Sequence, residues 1–345
     1  MERILKSKYK ILEKISESES HVTYKGVYVD SDKSLLIKIY KRELLNSVPI
    51  KKLKKDIQIL TKIDHPQIPR LIDGDYGWQG FYFIREYIDG QSLGEMKKPL
   101  DPETASKIMI RACEILNQVH ILEIVCGAFT ANNIFTSKGG KVSVSDIGIN
   151  TSVFGEIDQK AKLLFDTGSK YLAPEVILGE EPTVLSDIYQ AGVTLYFILT
   201  GEFPQRSLEG LSSSLENIKG SFSPPSAINN KIPKYLDEIV MHCLERDPLL
   251  RFESAMQLAS SLENKALMIN KMEEFELSEI NFQSEEEPAQ KPGDTIEEEI
   301  IKLPGNIKKG SGGKINILRW VMFAVWAAIA AGIIYSLINI FVMGE

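Results

Sequence analysis

Over the first hundred residues, apolar and polar positions alternate in short runs such as Val22-Thr-Tyr-Lys-Gly-Val-Tyr-Val and Leu35-Leu-Ile-Lys-Ile-Tyr, a period of two that predicts strands. One helical pattern interrupts them, with Ile50, Leu53, Ile57 and Leu60 on a single face. The expectation is a small β-rich lobe over about residues 8–88. From Asp101 the period becomes helical: Asp101 suits a cap, Pro102 the first turn, and Ile108, Cys113, Ile115, Leu116 and Val119 supply the apolar side. Ile188 to Leu199 is apolar nearly all round, yet short and closed by Gly201, so it reads as a buried helix at the centre of a second, mainly helical lobe over about residues 89–263. The fold class is α+β, in two lobes.

The pattern changes again near the carboxyl end. Residues 264–314 carry Ser284-Glu-Glu-Glu-Pro, Glu297-Glu-Glu and Lys309-Gly-Ser-Gly-Gly and read as a flexible, mostly acidic tether whose charge turns basic near Lys302. Residues 315–343 are expected to form a transmembrane helix, because the uncharged run Trp320 to Met343 is long enough to cross a ~30 Å hydrocarbon layer at about 1.5 Å per residue. Lys308, Lys309, Lys314 and Arg319 precede it and place the larger part of the chain in the cytoplasm. The charged start, Met1-Glu-Arg-Ile-Leu-Lys, does not resemble a secretory signal. The expected localisation is the cell membrane, single-pass, with the carboxyl end outside and no outer domain. Ala324, Ala328, Gly332 and Ser336 recur every fourth residue, a small-residue stripe that would suit a homodimer or partner-helix contact, set against an ordinary lipid-facing span.

Composition narrows the functional classes. With 345 residues, 43% hydrophobic and 25% charged, the chain has enough core material for a two-lobed body and is neither wholly disordered nor polytopic. Forty Lys and Arg against 47 Asp and Glu give a net charge of −7, which gives no support to nucleic acid as a partner. Cys113, Cys126 and Cys243 are isolated and odd in number, fitting neither a disulfide framework nor a metal site.

Taken in order, the motifs of residues 8–262 resemble the protein kinase family. Leu36-Ile-Lys38-Ile looks like the strand whose lysine grips nucleotide phosphates, and Asp56 falls where the family's helix glutamate would pair with it. Asp64-His-Pro-Gln-Ile resembles the turn leaving that helix, and Arg85-Glu-Tyr-Ile-Asp-Gly the hinge between lobes. Asp146-Ile-Gly148 sits where the metal-binding DFG belongs. Ala173-Pro-Glu175, Ser186-Asp187-Ile-Tyr-Gln-Ala-Gly192 and Arg246-Asp-Pro248 with Arg251 complete the series. The resemblance implies a bilobal kinase-like domain over 8–263, with ATP and magnesium as the cofactors to consider. Lys38, Asp56, Asn133 and Asp146 are the candidate nucleotide-binding residues, and Asn133 and Asp146 the candidate metal ligands.

The departures bear on activity. Glycines that let backbone amides approach phosphates are replaced by Ser16, Ser18 and His21, and a plain hairpin with an exposed His21 is the simpler expectation. Ile124-Val-Cys126-Gly-Ala128-Phe-Thr130-Ala-Asn132-Asn133 aligns with the family's H-R-D-L-K-P-E-N, so the base position is Ala128 and the lysine position Thr130. A methyl group cannot accept a substrate's proton, a contribution of about 10² to 10⁴ in rate. Thr130 cannot neutralise a transferring phosphoryl group. Gly127 removes the arginine that in many relatives holds a phosphorylated loop, although Thr167, Ser169 and Tyr171 remain as possible acceptors. Lys38 is expected either to grip nucleotide or to pair permanently with Asp56 or Asp146, with Asn133 bonding local backbone. Arg85 would reach solvent or, turned inward, obstruct the purine site and need an acidic partner. Three functions follow: a membrane-anchored pseudokinase acting on signalling proteins or another kinase; an active serine/threonine kinase with a non-standard loop; a nucleotide-free docking adaptor.

Overall fold

The computed structural model describes residues 3–18, 20–42, 50–77, 80–149, 151, 170–204 and 222–264. The tether, the apolar run and its small-residue stripe, together with Glu19, Thr167 and Ser169, lie outside the described residues. No helix among the described residues is long and apolar enough to cross a membrane.

Six antiparallel strands open the chain: β1 (Arg3–Leu5), β2 (Tyr9–Glu17), β3 (His21–Tyr28), β4 (Ser31–Tyr40), β5 (Leu71–Gly77) and β6 (Gly80–Glu86), in the order β1-β2-β3-β4-β6-β5. The sheet thus begins before residue 8, with an extra edge strand at Arg3. Period-two alternation sorts the strands into two faces. Leu35, Ile37, Ile39, Tyr82 and Ile84 pack with Tyr9 on the outer face. Phe81 and Phe83 join the main core instead. The register pairs Leu36 with Arg85, Lys38 with Phe83, Thr23 with Lys38 and His21 with Tyr40, which carries His21, Thr23, Lys38 and Arg85 onto one inward-facing surface. Helix α1 (Ile50–Leu60) lays Leu53, Ile57 and Leu60 into the same core, as its spacing predicts. It lies close to β5: a Cβ at Gly74 would sit 3.1 Å from Ile57.

The second lobe is built on α2 (Pro102–Ile121) and, after a short hairpin of β8 (Ile134–Thr136) and β9 (Val142–Val144), on α3 (Pro174–Ile177), α4 (Val184–Thr200), α5 (Pro225–Ile228) and α6 (Lys234–Cys243). Strand β7 (Gln91–Ser92) completes the hairpin's sheet. Asp101 caps α2 by accepting the amide of Thr104 at 2.9 Å. Thr183 caps α4, which ends at Gly201 in the left-handed region, φ 78°, where a side chain would be strained. The helix is buried on nearly every side, as its composition requires. Cys113, Cys126 and Cys243 are free and buried.

Candidate functional site

Between the sheet and the β8–β9 hairpin lies a cleft of about 380 Å³, lined on the sheet side by Ser16, Ser18, His21, Lys38 and Arg85 and on the other by Thr130, Asn132, Asn133, Phe135 and Asp146. Three of the four candidate nucleotide-binding residues, Lys38, Asn133 and Asp146, meet there. Asp56 does not: it is partly buried on α1 and forms no ion pair among the described residues. The lysine's partner is Asp146, whose Oδ2 accepts Lys38 Nζ. An aspartate on α1 is one methylene shorter than a glutamate, and Asp146 supplies a carboxylate already inside the cleft.

Asp146 Oδ1 is taken as well. Arg85 Nε donates to it at 2.8 Å, Nη1 donates to the Glu86 carbonyl at 3.0 Å and Nη2 to Ser145 Oγ at 3.4 Å. The guanidinium also lies 5.8 Å from the centre of the Phe135 ring. Arg85 is only 4% exposed, so it has turned inward rather than to solvent. Strand β6 explains this: Phe81 to Arg85 are all buried, leaving no wet face for a long cation. Burial alone would raise the Asp146 carboxyl, but the charges of Lys38 and Arg85 outweigh it and hold the group well below the usual carboxylate range. Asp146 has a positive φ of 60°, and Gly148 follows at 70°, where a Cβ would collide with Leu60.

The backbone of residues 126–129 hangs from α4. Asp187 accepts the amides of Cys126 at 2.8 Å and Gly127 at 2.7 Å and meets His120 Nε2 at 2.9 Å. Gln190 accepts the amide of Phe129 at 2.8 Å, and Thr194 donates to the Phe129 carbonyl at 2.9 Å. Ala128 is fully buried and is no part of the cleft lining. Its carbonyl accepts the Thr130 amide at 2.8 Å and Asn133 Nδ2 at 3.0 Å. Asn133 is therefore engaged with local backbone. Glu175 and Arg251 form a buried bidentate pair at 2.8 and 2.7 Å, with Ser186 donating to Glu175 at 2.8 Å.

The β2–β3 turn is a hairpin closed on itself. Ser18 Oγ accepts the amides of Ser20 at 3.3 Å and His21 at 3.1 Å, while the Ser18 amide donates to the His21 carbonyl at 2.9 Å. The amides of Ser18, Ser20 and His21, which could otherwise turn to a phosphate, are thus spent within the turn. His21 is not exposed: it lies 2.8 Å from Ser20 Oγ and faces Tyr40, and burial with the nearby Lys38 charge lowers its pKa to about 3.

A magnesium–nucleotide complex does not fit this arrangement. Magnesium binds through hard oxygens, usually one or two carboxylates. Both oxygens of Asp146 are bound to cations, Glu17 is paired with Lys14 at 3.0 Å, and Glu95 accepts the Ser92 amide at 3.2 Å. Sequence reasoning weighed the Lys38–Asp146 pair and the inward Arg85 separately and missed that they share one carboxylate. The period-two row Phe81, Phe83, Arg85 carried the signal.

Residues 9–262 match the protein kinase domain family, and the chain belongs to it. Members of that family generally use ATP and magnesium. Among relatives, the chain is 26% identical over 344 residues to the serine/threonine-protein kinase PrkC of Bacillus subtilis, an alignment covering 96% of this chain and 52% of that one. It is also 26% identical over 265 residues to a probable serine/threonine-protein kinase of Clostridium perfringens, covering 76% of this chain and 38% of that one. The chain thus spans about half or less of the length of these relatives. Among solved structures, the kinase domain of Mycobacterium tuberculosis PknI superposes with a TM-score of 0.59 at 16% identity, covering 76% of this chain and 97% of that one. A second, Rad53 1-466 in complex with AMP-PNP, also gives 0.59 at 19% identity, covering 73% and 64%.

Proposed function

We propose that this protein is a catalytically silent, serine/threonine-kinase-like signalling component, a pseudokinase that works by presenting its folded lobes to signalling proteins or to another kinase. One observation carries the reading: both oxygens of Asp146, the residue in the family's metal-binding position, are neutralised by Lys38 and Arg85. Ala128 and Thr130 in the base and lysine positions support it, because neither can move a proton or offset phosphoryl charge. In this reading the uncharged run Trp320 to Met343 holds the protein at the cell membrane as a single span, kinase-like lobes in the cytoplasm and carboxyl end outside. The stripe of Ala324, Ala328, Gly332 and Ser336 offers a route to self-association, and tethering raises the effective concentration of any partner on the same membrane. The lobes act as an adaptor and do not depend on nucleotide.

The test is transfer of radiolabelled phosphate from ATP by the full chain to itself and to a generic protein substrate. No transfer above a mock purification is expected. Transfer that disappears in Asp146→Asn would overturn the reading. The second reading, an active serine/threonine kinase with a non-standard loop, is favoured by Lys38, Asn133 and Asp146 lining one cleft and by the serine/threonine-kinase activity for which the relatives are named. The same assay decides it.

A further inference from the structure

The geometry points to Arg85 as the residue that sets what this cleft accepts: its guanidinium stands in for a divalent cation on Asp146 and makes the site refuse magnesium and magnesium-bound nucleotide. The inference concerns the cleft assigned under the proposed function, but it rests on binding and not on the absence of transfer.

The two cations on Asp146 differ in how firmly they are held. Lys38 has one hydrogen-bond partner, Asp146, with the Phe83 ring 5.5 Å below its ammonium; its stem is flexible and its side chain 13% exposed at the cleft, so an incoming group can draw the ammonium away. Arg85 cannot leave in this manner. Its side chain is buried in β6, its three kinds of nitrogen bond Asp146, the Glu86 carbonyl and Ser145, and its face lies over Phe135. A guanidinium keeps its charge at every accessible pH, whereas a metal site must present its carboxylate bare. Lys38, Arg85 and Asp146 together already leave a net positive charge in a buried setting. A divalent ion would add to it at short range, where water screens the repulsion poorly. Among the described residues, the remaining cleft acids, Glu17 and Glu95, are engaged with Lys14 and the Ser92 amide. Once Arg85 loses its charge, Asp146 regains a free oxygen beside Asn133, and the donor set becomes one that a hard divalent ion can use.

The experiment is thermal melting of the full chain with magnesium alone, with ATP plus EDTA, and with magnesium and ATP together. It is run on the wild type, Arg85→Met, Arg85→Gln and the double variant Arg85→Met/Asp146→Asn. The wild type is expected to melt at the same temperature with and without magnesium and ATP. Arg85→Met and Arg85→Gln are expected to gain a metal-dependent rise of roughly 5 °C at ligand about 100-fold above its Kd. EDTA and the added Asp146→Asn should each remove that rise. Glutamine keeps the capacity to bond the Glu86 carbonyl and Ser145, so it covers the case in which Met fails to fold. A metal-dependent rise in the wild type would overturn the inference, as would the absence of any rise in whichever uncharged variant melts cooperatively. Wild-type binding of magnesium–ATP without transfer would sink this inference and leave the proposed function standing; transfer is read separately.

Discussion

Asp187 Oδ1 accepts the Gly127 amide at 2.7 Å, joining the buried helix α4 to a loop that follows α2 by only a few residues. The carboxylate also takes the Cys126 amide and meets His120, and it is completely buried. Removing it strands buried donors, which cost about 1–3 kcal/mol each when left unmade. Asp187→Ala should therefore lower stability by about 3 kcal/mol or more, with hydrogen exchange at Cys126 and Gly127 accelerating beyond the global change. Exchange unchanged at those two amides would contradict this role.

Arg251 and Glu175 are a second buried pair, and the direction of its effects follows from desolvation. Burial would raise Glu175, but the hydrogen bonds from Arg251 and Ser186 and the arginine's charge lower it. Arg251→Met leaves that carboxylate without its cation and should cost about 3–5 kcal/mol. Adding Glu175→Gln removes the stranded charge, so the double variant should be more stable than Arg251→Met alone. Denaturant melts of the four members of the cycle measure the coupling.

His21 gives a pH dependence of definite sign. Its pKa is lowered from 6.5 to about 3, chiefly by burial and then by Lys38, with Asp146 acting in the opposite sense and Lys41 adding to the lowering. Below pH 6.5 the unfolded chain binds a proton that the folded chain refuses, so stability falls as the pH drops towards 3, by up to about 1.4 kcal/mol per unit. Denaturant midpoints between neutral pH and pH 4 should decline more steeply for the wild type than for His21→Gln. Parallel slopes would place His21 in water.

Ala128→Asp restores the residue type of the family's base position, yet it should not restore transfer. The Ala128 methyl is buried and is not among the described residues that line the cleft, so a carboxylate there is taken out of water. A destabilisation of about 3 kcal/mol is expected, together with no radiolabel above background. A gain of transfer would show that the base alone was limiting.

Much of this was legible in the chain. The inward face of β4 follows from alternation about Lys38, and the buried α4 from a run of apolar residues too long for one face and too short for a bilayer. The ordered motifs gave the family and brought Lys38, Asn133 and Asp146 into one cleft. Pairwise choices were harder. Whether Lys38 takes Asp56 or Asp146 depends on where α1 stands, which no local spacing encodes. His21 looked exposed because its neighbours in the turn are polar; its ring is covered through the register that sets it opposite Tyr40. Arg85 was judged by its residue type, whereas its strand decides, since the two residues before it on the same inward row, Phe81 and Phe83, are both core phenylalanines.

The hydrogen bond from Arg85 to the Glu86 carbonyl also bears on chemical probes. A flat heterocycle that anchors itself by giving an N–H to that carbonyl must share it with the guanidinium, a fixed cation that repels a second donor. Compounds assembled around such an anchor are expected to bind this protein weakly. A scaffold carrying an acid, placed to take over the Lys38 ammonium that Asp146 now holds, is the better starting point for a selective molecule.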